Sequence, residues 1–167
     1  MHLVVSVDDT VSSPGPVEYR WDADTDILTA SLPTPAPGTG MTGSVEIGGG
    51  DGSWIVLDVH SGRIVSIEIA VWPDVKIAES LEAPLDVTDA AISIPVRASQ
   101  PGVAAIELDT RVAAVATPDE RTIHFKVGAA RPSRAVRAAC DILLELDDTR
   151  QIAGIWMLNV PPFPGAS

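Results

Sequence analysis

Two stretches of the chain alternate apolar and polar residues with the period of a β-strand, and they do so in the same way. From Trp54 to Trp72, Ile55, Leu57 and Val59 alternate with Trp54, Val56 and Asp58; the polar turn His60-Ser61-Gly62 interrupts; Val65, Ile67, Ile69 and Val71 resume. This predicts a β-hairpin in which Gly62 supplies the positive φ of the turn. Near the C-terminus, Ile142 to Leu146 leads through Asp147-Asp148-Thr149-Arg150 into Ile152 to Val160. Both hairpins end on a proline, Pro73 and Pro161. An acidic turn and a strand precede each one, Trp21 to Leu32 before the first and Ala116 to Val127 before the second. The pattern predicts two repeated strand-turn-hairpin units, at about residues 17–74 and 111–163, inside a single domain spanning 1–167.

Between and before these units the signals are shorter. Strands are expected at Leu3 to Val7, Val17 to Trp21, Val45 to Ile47, Ala91 to Arg97, Val103 to Leu108 and Arg111 to Ala116, separated by turns such as Ser12-Ser13-Pro14-Gly15-Pro16 and Gln100-Pro101-Gly102. Pro33 to Gly40 reads as an exposed loop, and Gly48-Gly49-Gly50-Asp51-Gly52 as a flexible link into the first hairpin. Val75 to Glu82 has helical spacing for at most two turns before Pro84. Residues 133–145 admit two readings. One is an amphipathic helix capped by Ser133, with Arg137 paired to Asp141; the other is a loop into the strand Ile142 to Leu146. Propensity favours helix over Arg134 to Cys140, and the repeat favours strand from Ile142. The expected fold is mostly β, a sandwich or partly closed barrel with minor helix.

Comparing the units separates the faces of the last strand. Val65, Ile67, Ile69 and Val71 correspond to Ala153, Ile155, Met157 and Asn159, the expected core face. The other face carries Ser66, Glu68 and Ala70 in the first unit but Gly154, Trp156 and Leu158 in the second. A strand apolar on both faces needs cover on both, which puts the second hairpin at the centre of a sheet or at an interface.

The first unit resembles a family of small, uncharacterised bacterial domains. The residues that carry the likeness are Asp22, Asp26, Ile27 and Leu28, then Leu57, Asp58, Gly62, Arg63, Ile64, Val65, Ile67, Glu68 and Ile69. The second unit departs from the pattern at Arg150, where Gly would stand, and at Trp156, where Glu would stand. The resemblance implies no activity.

Composition narrows the function. A net charge of −12 and a pI near 4.4 argue against a nucleic-acid partner; such a surface keeps a protein soluble, which is the commoner reason for it, and also steers basic protein partners. No apolar run is long enough to span a bilayer, the N-terminus lacks the features of a signal peptide, and the single Cys140 excludes an internal disulfide. The expected compartment is the cytoplasm. Asp22-x-Asp24-x-Asp26 begins like a calcium loop, but Ile27 stands where Gly is needed and Pro33 where Glu is needed. His2, His60 and His124 lack ligand-spaced neighbours, and His124 is expected on a polar strand face. Cys140, among Ala138, Ala139 and Ile142, reads as a buried thiol. No phosphate loop, dinucleotide fingerprint or nucleophile elbow is present, so neither catalytic residues nor a cofactor are expected.

The candidate contact residues are Trp72, Trp156 and Leu158, as interface or ligand-binding apolar surface, and Arg134 and Arg137, which could take an acidic ligand or pair with carboxylates. The resulting expectation is a non-catalytic binding or protein-interaction protein that self-associates as a homodimer or binds a basic partner. The alternative is a small β-barrel that binds, or cyclises, a small apolar metabolite.

Overall fold

The computed structural model describes residues 3–10, 15–33, 39–96 and 105–165, and within them every regular element is a strand. The strands are β1 (Ser6–Asp8), β2 (Glu18–Asp22), β3 (Ile27–Ser31), β4 (Gly43–Gly49), β5 (Trp54–His60), β6 (Arg63–Val71), β7 (Val75–Ile77), β8 (Val87–Asp89), β9 (Ala91–Ser93), β10 (Ala105–Thr110), β11 (Val112–Ala116), β12 (Ile123–Val127), β13 (Arg134–Ala139), β14 (Ile142–Leu146) and β15 (Ile152–Met157).

Alternation sets the faces, and two sheets close around one core. One sheet runs β2-β3-β6-β5-β4-β10, with β9 and β1 joined at the start of β6. The other runs β7-β11-β12-β15-β14-β13-β8, so β15 is its middle strand. Leu28, Ile55, Leu57, Ile67 and Ile69 of the first meet Phe125, Ile142, Leu144, Ile155 and Met157 of the second, all at 0% exposure, in a single cluster. Each such side chain contributes about 1.5–3 kcal/mol of transfer free energy.

Both sheets contain the same antiparallel path, β2-β3-β6-β5-β4 and β11-β12-β15-β14-β13, and each takes a parallel strand at the far edge, β10 on β4 and β8 on β13. The registers correspond: Ile69 faces Leu28 and Ile55, as Met157 faces Ile123 and Ile142. Each main hairpin carries a bulge at the same place, after Asp58 and after Glu145. Gly62 (φ 82) and Arg150 (φ 62) both take the left-handed conformation, so the position that is glycine in one unit is held by arginine in the other against its intrinsic preference. The chain between the units supplies edges to both sheets: β7 pairs with β11, β8 with β13 and β10 with β4. Neither sheet is complete without strands from that intervening stretch.

Several expectations change. The weak helical spacing after Pro73 becomes β7, and the segment read as helix over Arg134 to Cys140 becomes β13, which pairs with β14 on one side and β8 on the other. A helix there would leave the buried backbone of β14 without a partner on that side, a larger loss than alanine's preference for helix can offset. Arg137 consequently meets Asp89 rather than Asp141. The bulges shift the parity of β6, placing Ile64 in the core while Val65 is half-buried and Val71 is 50% exposed. In the second unit Asn159 is likewise exposed. The glycine-rich link is an ordered β4–β5 turn, in which Asp51 Oδ1 accepts the Ser53 N–H and hydroxyl and the Gly49 N–H reaches the Ser53 carbonyl. Cys140 is exposed in the β13–β14 turn. Ser12 to Pro14, residues 34–38 of the proline-rich loop, the Gln100-Pro101-Gly102 turn with the neighbouring residues Arg97 and Val103, and His2 lie outside the described residues.

Candidate functional site

At one end of the sandwich the acidic turns of both units and the chain leaving each main hairpin converge on a cleft of about 470 Å³. Trp21 comes from β2, Trp72 from the residue after β6, Phe163 from the chain after β15, and Ile123 from the start of β12. The position corresponding to Trp21 in the second unit is Ala116, which also lines the cleft. One unit thus supplies an indole to the cleft where the other supplies a methyl group.

The aromatic groups are fixed by polar contacts at their edges. Trp21 Nε1–H donates to the Pro161 carbonyl at 2.9 Å, and Trp72 Nε1–H donates to the Asp26 carbonyl at 2.7 Å. The two indoles stack with centroids 5.6 Å apart and planes 17° apart, and Phe163 meets Trp21 edge-on at 5.2 Å. Trp72 also leans on the fully buried Phe125 at 5.7 Å, which ties the cleft to the core. With both N–H groups satisfied by backbone, the half-buried rings present apolar and π surface to the cleft.

Its rim is acidic. Asp26, Asp119 and Glu120 line it, and Asp26 (φ 60) and Glu120 (φ 57) occupy left-handed turn positions. The Thr117 hydroxyl at 2.6 Å, and secondarily the Arg121 N–H at 3.1 Å, hold the Asp119 carboxyl below its ordinary range, so it is charged at neutral pH. The Asp22-x-Asp24-x-Asp26 turn spends part of its oxygen on itself: Asp22 Oδ1 accepts the Asp24 N–H and the Asp22 carbonyl accepts the Asp26 N–H.

Of the five candidate contact residues, the structure brings only Trp72 to this cleft, where it joins Asp26 of the acidic turn. Trp156 is 5% exposed and lies on the outer face of the second sheet, away from the main core, with Leu143 at 1% beside it. Residues 78–86 link edge strand β7 to the opposite edge strand β8. The crossing is about 29 Å at about 4.8 Å per strand, within reach of an extended chain of this length at about 3.3 Å per residue. Pro84 lines a cavity with Glu145 near the β8 and β13 edge of this sheet. At these exposures Trp156 and Leu143 are covered within a single chain. Leu158 is half-buried and its carbonyl accepts the Tyr19 hydroxyl at 2.8 Å. Arg134 pairs with Asp9 at 2.6 Å and Arg137 with Asp89 at 3.2 Å, so both are matched by carboxylates.

The same outer face holds a polar pair that the alternation pattern places on a solvated surface. His124 Nε2 and Glu145 Oε1 are 2.6 Å apart, with side chains 18% and 9% exposed, and Trp156 stacks on the imidazole at 4.3 Å. The bond passes over Gly154. In the first unit the corresponding positions are occupied differently, with the Ser66 hydroxyl donating to Asp58 Oδ2 at 2.8 Å.

Among the described residues no group of three or more His, Cys, Asp or Glu side chains is placed to hold a metal ion. No helix among them is long and apolar enough to cross a membrane. No protein-family model matches the chain, and no curated protein matches its sequence.

Proposed function

We propose that this is a non-catalytic binding protein that recognises a basic partner through the cleft between its two units, which we take to descend from one duplicated ancestor. The observation that carries the reading is the stacked Trp21–Trp72 pair set inside an acidic rim, with both indole N–H groups already bonded to backbone. Such a surface offers ring faces and carboxylates together, the combination that attracts a lysine or arginine side chain. The net charge of −12 adds long-range steering toward such a partner. An apolar metabolite would gain nothing from Asp26, Asp119 and Glu120, whereas a basic group uses both components of the site.

The test is an indole-fluorescence titration with a short oligo-arginine peptide and an uncharged peptide of the same length. Saturable quenching by the cationic peptide is expected, weakened by salt and by about tenfold in Glu120→Gln. Saturable binding of a neutral apolar probe, with none of the cationic peptide, would overturn the reading in favour of the metabolite-binding alternative.

A further inference from the structure

The chain itself occupies one flank of the cleft, and the chemistry of that flank indicates the backbone form of the partner. Val160, Pro161 and Phe163 each precede a proline, and Pro161, Pro162 and Pro164 have φ held near about −65°, which steers residues 160–163 toward extended, polyproline-like geometry ahead of the Pro164–Gly165 turn. It belongs to no strand. It is nevertheless anchored: the Val160 N–H donates to the Arg121 carbonyl at 2.9 Å, and Val160 is 1% exposed. Across it lies β2, whose Tyr19 and Trp21 share a face and donate to the carbonyls of Leu158 and Pro161. Phe163 then packs edge-on against Trp21. Aromatic donors reaching carbonyls, with flat rings beside proline rings, are the elements of polyproline recognition, because an extended proline segment has free carbonyl oxygens and little conformational entropy to lose.

The other flank carries matching chemistry and is open. Trp72 stacks on the same Trp21 that holds Pro161, Val75 and Ile123 form apolar walls, and the carboxylates stand at the rim. We infer that the cleft takes an extended, proline-bearing segment of a partner that carries a lysine or arginine, with its proline rings against Trp72 and its cation at Asp119 and Glu120. This rests on the proposed recognition of a basic partner and adds the backbone form of the ligand.

Three synthetic peptides of equal length test it on the full chain by indole fluorescence: an arginine followed by prolines, the same with glutamate for arginine, and the arginine followed by alanines. The arginine–proline peptide is expected to bind at least about tenfold tighter than either control. Equal binding of the arginine–alanine peptide would overturn the proline inference and leave recognition of a cation standing. Preference for the glutamate peptide, or binding of none of the three, would overturn both. In Glu120→Lys, an exposed turn position, the preference for arginine over glutamate should disappear with the thermal midpoint unchanged; retention of that preference would also overturn the placement of the cation. Trp72→Phe, which keeps an aromatic ring, should retain more affinity than Trp72→Ala at comparable circular dichroism; equal affinity of the two would remove Trp72 from the site.

Discussion

Replacing Gly154 by alanine should destabilise the protein, although the same change in an open strand position would do the opposite. His124 on β12 and Glu145 on β14 lie on either side of β15, about 10 Å apart at about 4.8 Å per strand, so their side chains must meet above the residue between them. That residue is Gly154, paired in register with Glu145. A Cβ there would stand 2.9 Å from His124 Nε2 and 3.2 Å from Glu145 Cδ, and closer still to Glu145 Oε1. Neither partner is free to swing into water, since their side chains are 18% and 9% exposed and Trp156 lies against the imidazole. Breaking a buried hydrogen bond costs about 1–3 kcal/mol and forcing a methyl group into a packed site about 1–3 kcal/mol, against about 0.5–1 kcal/mol gained by replacing glycine within a strand. A net loss of about 2–3 kcal/mol is expected, read as a lower urea midpoint at unchanged m-value. In a Glu145→Ala background the obstructing oxygen is gone, and Gly154→Ala should then be neutral or stabilising, giving a coupling of about 2–4 kcal/mol. A neutral Gly154→Ala in the otherwise wild-type chain, or the same loss in both backgrounds, would refute the reasoning.

Two further outcomes follow from burial. Trp156→Ala should cost about 3–5 kcal/mol as a core truncation while sedimentation shows the same mass in solution; a drop in mass with little loss of stability would instead mean that a second chain completes the cover of this stripe. Burial, and then the nearby Asp141 charge, raise the Tyr19 phenol well above its ordinary value of 10.0. Because the folded value lies above the unfolded one, this group's contribution is fully present below about pH 10 and is lost as pH rises beyond it. Denaturation midpoints measured from pH 8 to 11 should therefore fall less steeply in Tyr19→Phe than in the wild type, and equal slopes would show that the phenol is not responsible.

What the sequence determined by itself is local. The hairpins at Trp54–Trp72 and Ile142–Val160 were legible because alternation assigns faces and a short turn with a left-handed residue sets the register between adjacent strands. The pattern that suggested two units is matched by one antiparallel strand path in each sheet, and the middle place of β15 is one of the two alternatives, sheet centre or interface, that a strand apolar on both faces allowed. Tertiary structure decided whatever depended on residues distant in the chain. The alanine-rich segment from Arg134 to Ala139 has helical propensity, and only its pairing with β14 and β8 made it a strand. Alternation could not show the bulges that moved Ile64 inward and Val71 outward, because one extra residue reverses parity without altering composition. Nor could it show that Trp156 is buried within the chain, that His124 meets Glu145 over a glycine, or that Trp21, Trp72 and Phe163 share a cleft. Periodicity relates a side chain to its own strand; which edges meet, and which segment crosses which face, is set by the packing of the whole chain.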